Sequence, residues 1–134
     1  MQRTHYQIAR DFLAALAGGV LPDEMLTTDM TAWLTTQGTI DKASYQQAVK
    51  LLDKMCERPL KYTVHSLTAD EDRVIVEAQS EGTLINGETY GNTYIYVLRI
   101  RDGKIASVAE HYNALIAEKK LLPLMKQIMA KNPL

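Results

Sequence analysis

Residues 77–116 read EAQSEGTLINGETYGNTYIYVLRIRDGKIASVAEHYNALI, and two dipeptides punctuate that run, Asn86-Gly87 and Asp102-Gly103. Both supply the positive φ angles that a tight hairpin turn requires. The segments around them are rich in β-branched and aromatic residues and have a period of two: RVIVEAQSEGTLI at 73–85, TYGNTYIYVLRIR at 89–101 and KIASVAEHYN at 104–113. They read as strands. Upstream, LKYTVHSLTA at 60–69 is a further strand, reaching residue 73 through the turn Asp70-Glu71-Asp72. Consecutive strands joined this way form an antiparallel meander.

Before the meander the period changes to that of a helix. Ile8, Phe12 and Leu16 recur every four residues, Ala9 and Leu13 widen the stripe, and Gly18-Gly19 ends it, which predicts a helix over 4–17. Pro22 followed by Asp23 and Glu24 opens a short second helix with acids at its positive end. MTAWLT at 30–35 is a brief extended stretch. A third helix spans about 41–57, with Asp41 or Thr39 as N-cap and Tyr45, Ala48, Val49, Leu52, Met55 and Cys56 on one apolar face. Pro59 closes it. The tail, 114–130, is helical again, with Pro123 imposing a kink or a break. Helices first and a meander afterwards is an α+β pattern, here one domain over 1–134.

Composition narrows the function classes. The chain has 134 residues, 46% hydrophobic and 23% charged, with a formal charge of −1. No basic field exists to hold a phosphate backbone, so nucleic acid is not an expected partner. The single Cys56 excludes an internal disulfide and a cysteine-based zinc site. His5, His65 and His111 share no metal-ligand spacing, and neither a GxSxG nor a phosphate-cradling glycine motif occurs. No metal and no cofactor is expected. The start MQRTHYQIARDF has no apolar signal core and no run is long enough to span a membrane, so the expected setting is the cytoplasm.

The element order and the motifs of residues 77–116 resemble the SnoaL-like (polyketide cyclase-like) family of the nuclear transport factor 2-like, or ketosteroid isomerase-like, superfamily. The shared features are Gly-Thr in the first long strand, Asn-Gly at the turn, an aromatic-rich second strand, and Asp-Gly-Lys-Ile followed by an acid and an aromatic. The resemblance implies a cone: a curved antiparallel sheet packed on the N-terminal helices with a C-terminal helix, enclosing one pocket. It also implies a homodimer through the convex sheet face and a small hydrophobic ligand.

Alternation then sorts the faces. On 92–101 the outer set ends in Arg99 and Arg101, which leaves Asn92, Tyr94, Tyr96, Leu98 and Ile100 inside. On the last strand Val108, Glu110 and Tyr112 face in and His111 out. On 73–85 Ile75, Glu77 and Gln79 are expected to face in, with Gly82 marking a bulge.

Glu110 and Glu77 are accordingly the candidate catalytic acids, because an enclosed carboxyl exchanges protons nearer neutrality than a solvated one. Tyr94, Tyr96, Tyr112, Asn92, Gln79, Trp33 and Phe12 are the candidate ligand-binding residues, giving apolar walls with a few polar handles. Related epoxide hydrolases use an Asp-Arg-Asp set; here Glu110 matches one acid, Glu77 replaces the arginine and Gln79 the other acid. Ketosteroid isomerases need a tyrosine where Phe12 stands, a base where Leu34 stands, and an acid among Tyr94, Ile95, Tyr96 and Val97. Neither chemistry is expected. SnoaL-like cyclases use a pocket acid for proton transfer, a role that Glu110 fits; the alternatives are a non-catalytic ligand carrier and a dimeric accessory protein.

Overall fold

Thr4 caps the first helix by accepting the Gln7 N–H on its side chain, and α1 runs His5–Gly18. The computed structural model describes residues 4–131. Ile8, Ala9, Phe12 and Leu13 form the buried stripe of α1. Gly19 ends it at φ 75, where a Cβ would lie 2.5 Å from the Asp53 side chain. Only glycine fits that left-handed, crowded position. A single 3-10 turn, Asp23–Met25, follows the proline as the acids predict.

The extended stretch is longer than expected: β1 is Leu26–Leu34, and a short β2, Gly38–Asp41, which the sequence reading leaves out, pairs back on it. α2 is Lys42–Met55, capped by Asp41 accepting the Ser44 N–H. The meander is β3 Lys61–Ala69, β4 Arg73–Thr83, β5 Thr89–Arg101 and β6 Lys104–Tyr112. Asp102 and Gly103 both take positive φ between β5 and β6, as the hairpin requires. The tail breaks into α3, Ala114–Lys120, and α4, Leu122–Lys131, with Pro123 in the first turn of α4, where its missing N–H costs no helical bond.

The strand order is β2-β1-β6-β5-β4-β3. Every pairing is antiparallel except β1 with β6, which is parallel and makes the curved sheet mixed. α1 lies against β3 and β4 and α2 against β1 and β2, all on one face. There the main core joins Phe12, Leu34, Tyr45, Val76, Tyr94, Tyr96 and Leu98 to their neighbours. A second cluster, Met55, Cys56, Leu60, Leu84, Tyr90 and Leu124, holds α4 down, and Tyr62 touches both.

Register corrects the face assigned to β4. Ala78 pairs with Tyr94 and Val76 with Tyr96, so Val74, Val76, Ala78 and Ser80 face the helices. Glu77 and Gln79 therefore lie on the outer face. Gly82 pairs with Tyr90 in unbroken register and marks no bulge; the register shifts on β3 instead, between Val64 and Ser66. Trp33 also points outward, because it alternates with buried Ala32 and Leu34 on β1.

Candidate functional site

Glu110 sits on β6 between Leu34 of β1 and Tyr96 of β5. Its side chain is directed at α2, where the Tyr45 hydroxyl donates to Oε1 at 2.7 Å. Strand alternation aims Glu110 inward, and the apolar face of α2 aims Tyr45 back at it. The residue keeps some accessible surface, yet the carboxyl is sunk deeply enough for desolvation to dominate. Burial raises its pKa to about 7, opposed by the Tyr45 hydrogen bond.

A wall of phenols surrounds this acid. Tyr94 and Tyr96 stack with centroids 5.3 Å apart, Phe12 meets Tyr96 edge-on at 5.6 Å, and Tyr62 leans on Tyr94 at 5.9 Å. Tyr94 shares a 2.8 Å hydrogen bond with Ser80 on β4. Desolvation pushes the pKa values of Tyr45, Tyr62, Tyr94 and Tyr96 well up, and the charge of Glu110 adds to this for Tyr45, Tyr62 and Tyr96. These phenols are neutral hydrogen-bond donors whenever Glu110 changes charge.

The sequence-derived candidates divide accordingly. Glu110, Tyr94, Tyr96 and Phe12 are brought together. Tyr112 lies on the same face, 6.4 Å from Tyr94, but its hydroxyl turns to Thr36 at 2.5 Å in the β1–β2 turn. Asn92 is buried and structural: its Oδ1 accepts the Asn113 N–H at 2.9 Å and its Nδ2 donates to the Asn113 carbonyl, while Asn113 caps α3. Glu77 accepts from Ser66 at 2.5 Å, Gln79 contacts His65 at 3.0 Å and Trp33 stacks on His111 at 4.7 Å, all on the outer face.

That outer face has its own feature, an open depression of about 430 Å³ bordered by His65, Glu77, Thr93, Ile95 and His111. Tyr45 and Tyr62 were not among the sequence candidates. Tyr45 was legible as a core position, but nothing local linked it to Glu110, and the 60–69 strand offered no anchor that would set the face of Tyr62. Among the described residues no group of three potential metal ligands comes together, and no helix is long and apolar enough to cross a membrane.

The family model of the SnoaL-like domain matches residues 9–108. No curated protein matches the chain. Among solved structures the chain is similar to AclR from Streptomyces galilaeus, with 18% identity, TM-score 0.74 and coverage of 87% of this chain and 83% of that one. A nuclear transport factor 2-like protein from Anabaena variabilis shares 24% identity at TM-score 0.70, covering 83% of this chain and 94% of the other. A protein of ketosteroid isomerase-like fold from Catenulispora acidiphila, solved with trimethylamine, shares 20% identity at TM-score 0.71, covering 87% and 93%. At these identities the likeness is one of fold.

Proposed function

The chain belongs to the SnoaL-like domain family, and from that premise we propose that it is an acid–base enzyme acting on a small hydrophobic, polyketide-like carbonyl compound. The observation that carries this is the Glu110 carboxyl, raised to about 7 by burial and held by the Tyr45 hydroxyl inside a wall of neutral phenols. A carboxyl so tuned is present in both forms near neutral pH, as a shuttle requires. As carboxylate it takes a proton from the carbon next to a carbonyl; a phenol donates to the oxygen on which negative charge develops. As carboxylic acid it then returns the proton, at carbon or oxygen, completing an isomerisation or a ring closure. Phe12, Tyr94 and Tyr96 form the apolar wall, while Glu77, Gln79 and Trp33 take no part.

The test is carbon-detected NMR titration of Glu110 together with exchange of α-protons for deuterium in a panel of aryl and polyketide-like ketones. The expected result is a midpoint near 7. Glu110→Gln should lower the exchange rate by roughly 10²–10⁴-fold, the usual worth of a positioned acid or base. Titration at the ordinary carboxylate value, or undiminished exchange in Glu110→Gln, rejects the enzyme. Ligand retention with unchanged exchange would instead identify a carrier.

We further propose that the outer sheet face pairs two copies. Trp33 and Ile95 are 37% and 38% exposed there, beside His111 and the half-buried Val97. An apolar strip on a sheet face otherwise left to solvent is the surface a second sheet covers.

A further inference from the structure

Strand register lays one straight row across the outer sheet face. Ser66 of β3 pairs with Glu77 of β4, Glu77 with Ile95 of β5, and Ile95 with His111 of β6. Exposed Ile95 thus has an exposed carboxylate on one side and an exposed imidazole on the other. Neighbouring strands lie about 4.8 Å apart, so two strand spacings separate Glu77 from His111, too far for them to bond. Both side chains are already oriented: Ser66 donates to Glu77 at 2.5 Å, and Trp33 covers one face of the His111 ring at 4.7 Å. Among the described residues neither makes an ion pair, and no hydrogen bond reaches a ring nitrogen of His111. By contrast, Glu81, Arg73 and Arg101, towards the ends of the sheet, are paired within the chain to Lys61, Asp70 and Asp29.

Two copies can lay this face on each other about a two-fold axis through Ile95 in two ways. With the axis across the strands, the row lies on itself: carboxylate meets carboxylate and imidazole meets imidazole. With the axis along β5, the row is reversed, and each Glu77 meets the partner's His111. Like groups set opposite each other in an interface are costly, whereas opposite ones fix its register. Packed sheets stand about 10 Å apart, a gap that a glutamate and a histidine side chain bridge together. Arg99 also lies on β5, four residues beyond Ile95 and so about 13 Å along the strand. At that distance the two guanidinium groups are carried apart by the roughly 30° at which packed sheets cross.

We infer that two copies pair about an axis running along β5, with each His111 imidazole donating to the Glu77 carboxylate of the other copy on either side of a central Ile95 contact. This rests on the reading that the outer face pairs two copies, and adds the orientation and the contacts that select it. The open depression bordered by His65, Glu77, Thr93, Ile95 and His111 then lies under the second copy. Ser66 and Trp33 hold the two groups in position beforehand, so little side-chain freedom is lost when they meet.

The test is a charge swap read by analytical ultracentrifugation of the full chain: wild type, Glu77→Lys, His111→Glu and the double variant. Each single variant sets like charges, or a lysine and an imidazole, against each other and should weaken the dimer at least about tenfold. The double variant sets lysine against glutamate across the axis and should return to within about threefold of wild type. Such recovery also shows that the single variants lose pairing and not their fold. With the axis across the strands the double variant would set lysine on lysine and glutamate on glutamate, with no recovery. Single variants as tight as wild type, or a double variant no tighter than the singles, overturn the inference while the wild type remains a dimer. A wild-type monomer is a different result, and it rejects the pairing of copies itself.

Discussion

Glu110 binds its proton more tightly in the folded chain than in the unfolded one, and that difference ties stability to pH. Its pKa is about 7 folded against 4.5 as an unperturbed group. Between those values the folded state carries the extra proton, so stability falls as pH rises through the window and levels off above it. The loss amounts to at most ~3 kcal/mol, because each pKa unit is worth about 1.4 kcal/mol. The groups facing the carboxyl are Tyr45 of α2, Tyr62 of β3 and Tyr96 of β5, all pushed to higher pKa, so none titrates in the same window. Urea unfolding at pH 5 and pH 8 should show the decline in the wild type and its absence in Glu110→Gln, whose amide carries no charge to desolvate. A Glu110→Gln variant with the full wild-type slope would assign the dependence elsewhere.

Glu110 was legible because the two arginines on β5 fixed the inner face and the hairpin carried that phase to β6. Glu77 was misplaced for a physical reason. Val74, Ile75 and Val76 are all apolar, so the start of β4 carries no alternation. The polar series Glu77, Gln79 and Glu81 against Ala78 and Ser80 held the answer, and small residues are what the space opposite large tyrosines admits.

At the scale of elements, the close approach of β5 to β4 depends on Gly91. A Cβ there would lie 2.8 Å from the Ser80 carbonyl oxygen, a backbone atom with no freedom to withdraw. Gly91→Ala should destabilise by about 1–3 kcal/mol, the usual cost of overpacking. A loss below about 0.5 kcal/mol in denaturant unfolding would mean that the strands can slide apart to accommodate the methyl. Helices, hairpins and the Asp41 cap were legible because each is encoded locally: Asp41 accepts its cap N–H group, and Asp102-Gly103 adopts the two positive φ angles. β2 was not, being four residues with no apolar alternation. The parallel partnership of β1 and β6 was hidden as well, since pairing across more than seventy residues leaves no local trace.

On the scale of the whole molecule, the proposed chemistry belongs to the inner face and the proposed pairing of copies to the outer face. Light scattering should give twice the 15.1 kDa chain mass. Ile95→Lys should shift the population to monomer without changing the Glu110 titration, since Ile95 points away from it. A wild-type monomer at micromolar concentration would remove the proposed pairing. The cone was legible as a pattern of elements; the filling of its centre by Tyr45, Tyr62, Tyr94 and Tyr96 was not, because that depends on how far α2 and β3 close over the sheet.

The parallel junction of β1 with β6 also has a consequence in time. The meander is built from neighbours in sequence and should gain its contacts early, whereas Leu34 must find Glu110 across most of the chain. Contacts so distant form slowly, after the loop entropy between them has been lost. The acid is carried by a locally connected part of the molecule, so its desolvation is expected only once α2 and β1 dock. Before that closure Glu110 is expected to behave as a solvated carboxylate, ionised near neutral pH. Its uptake of a proton thus marks completion of the fold, and a refolding reaction followed by a pH dye should take up that proton in its slowest phase.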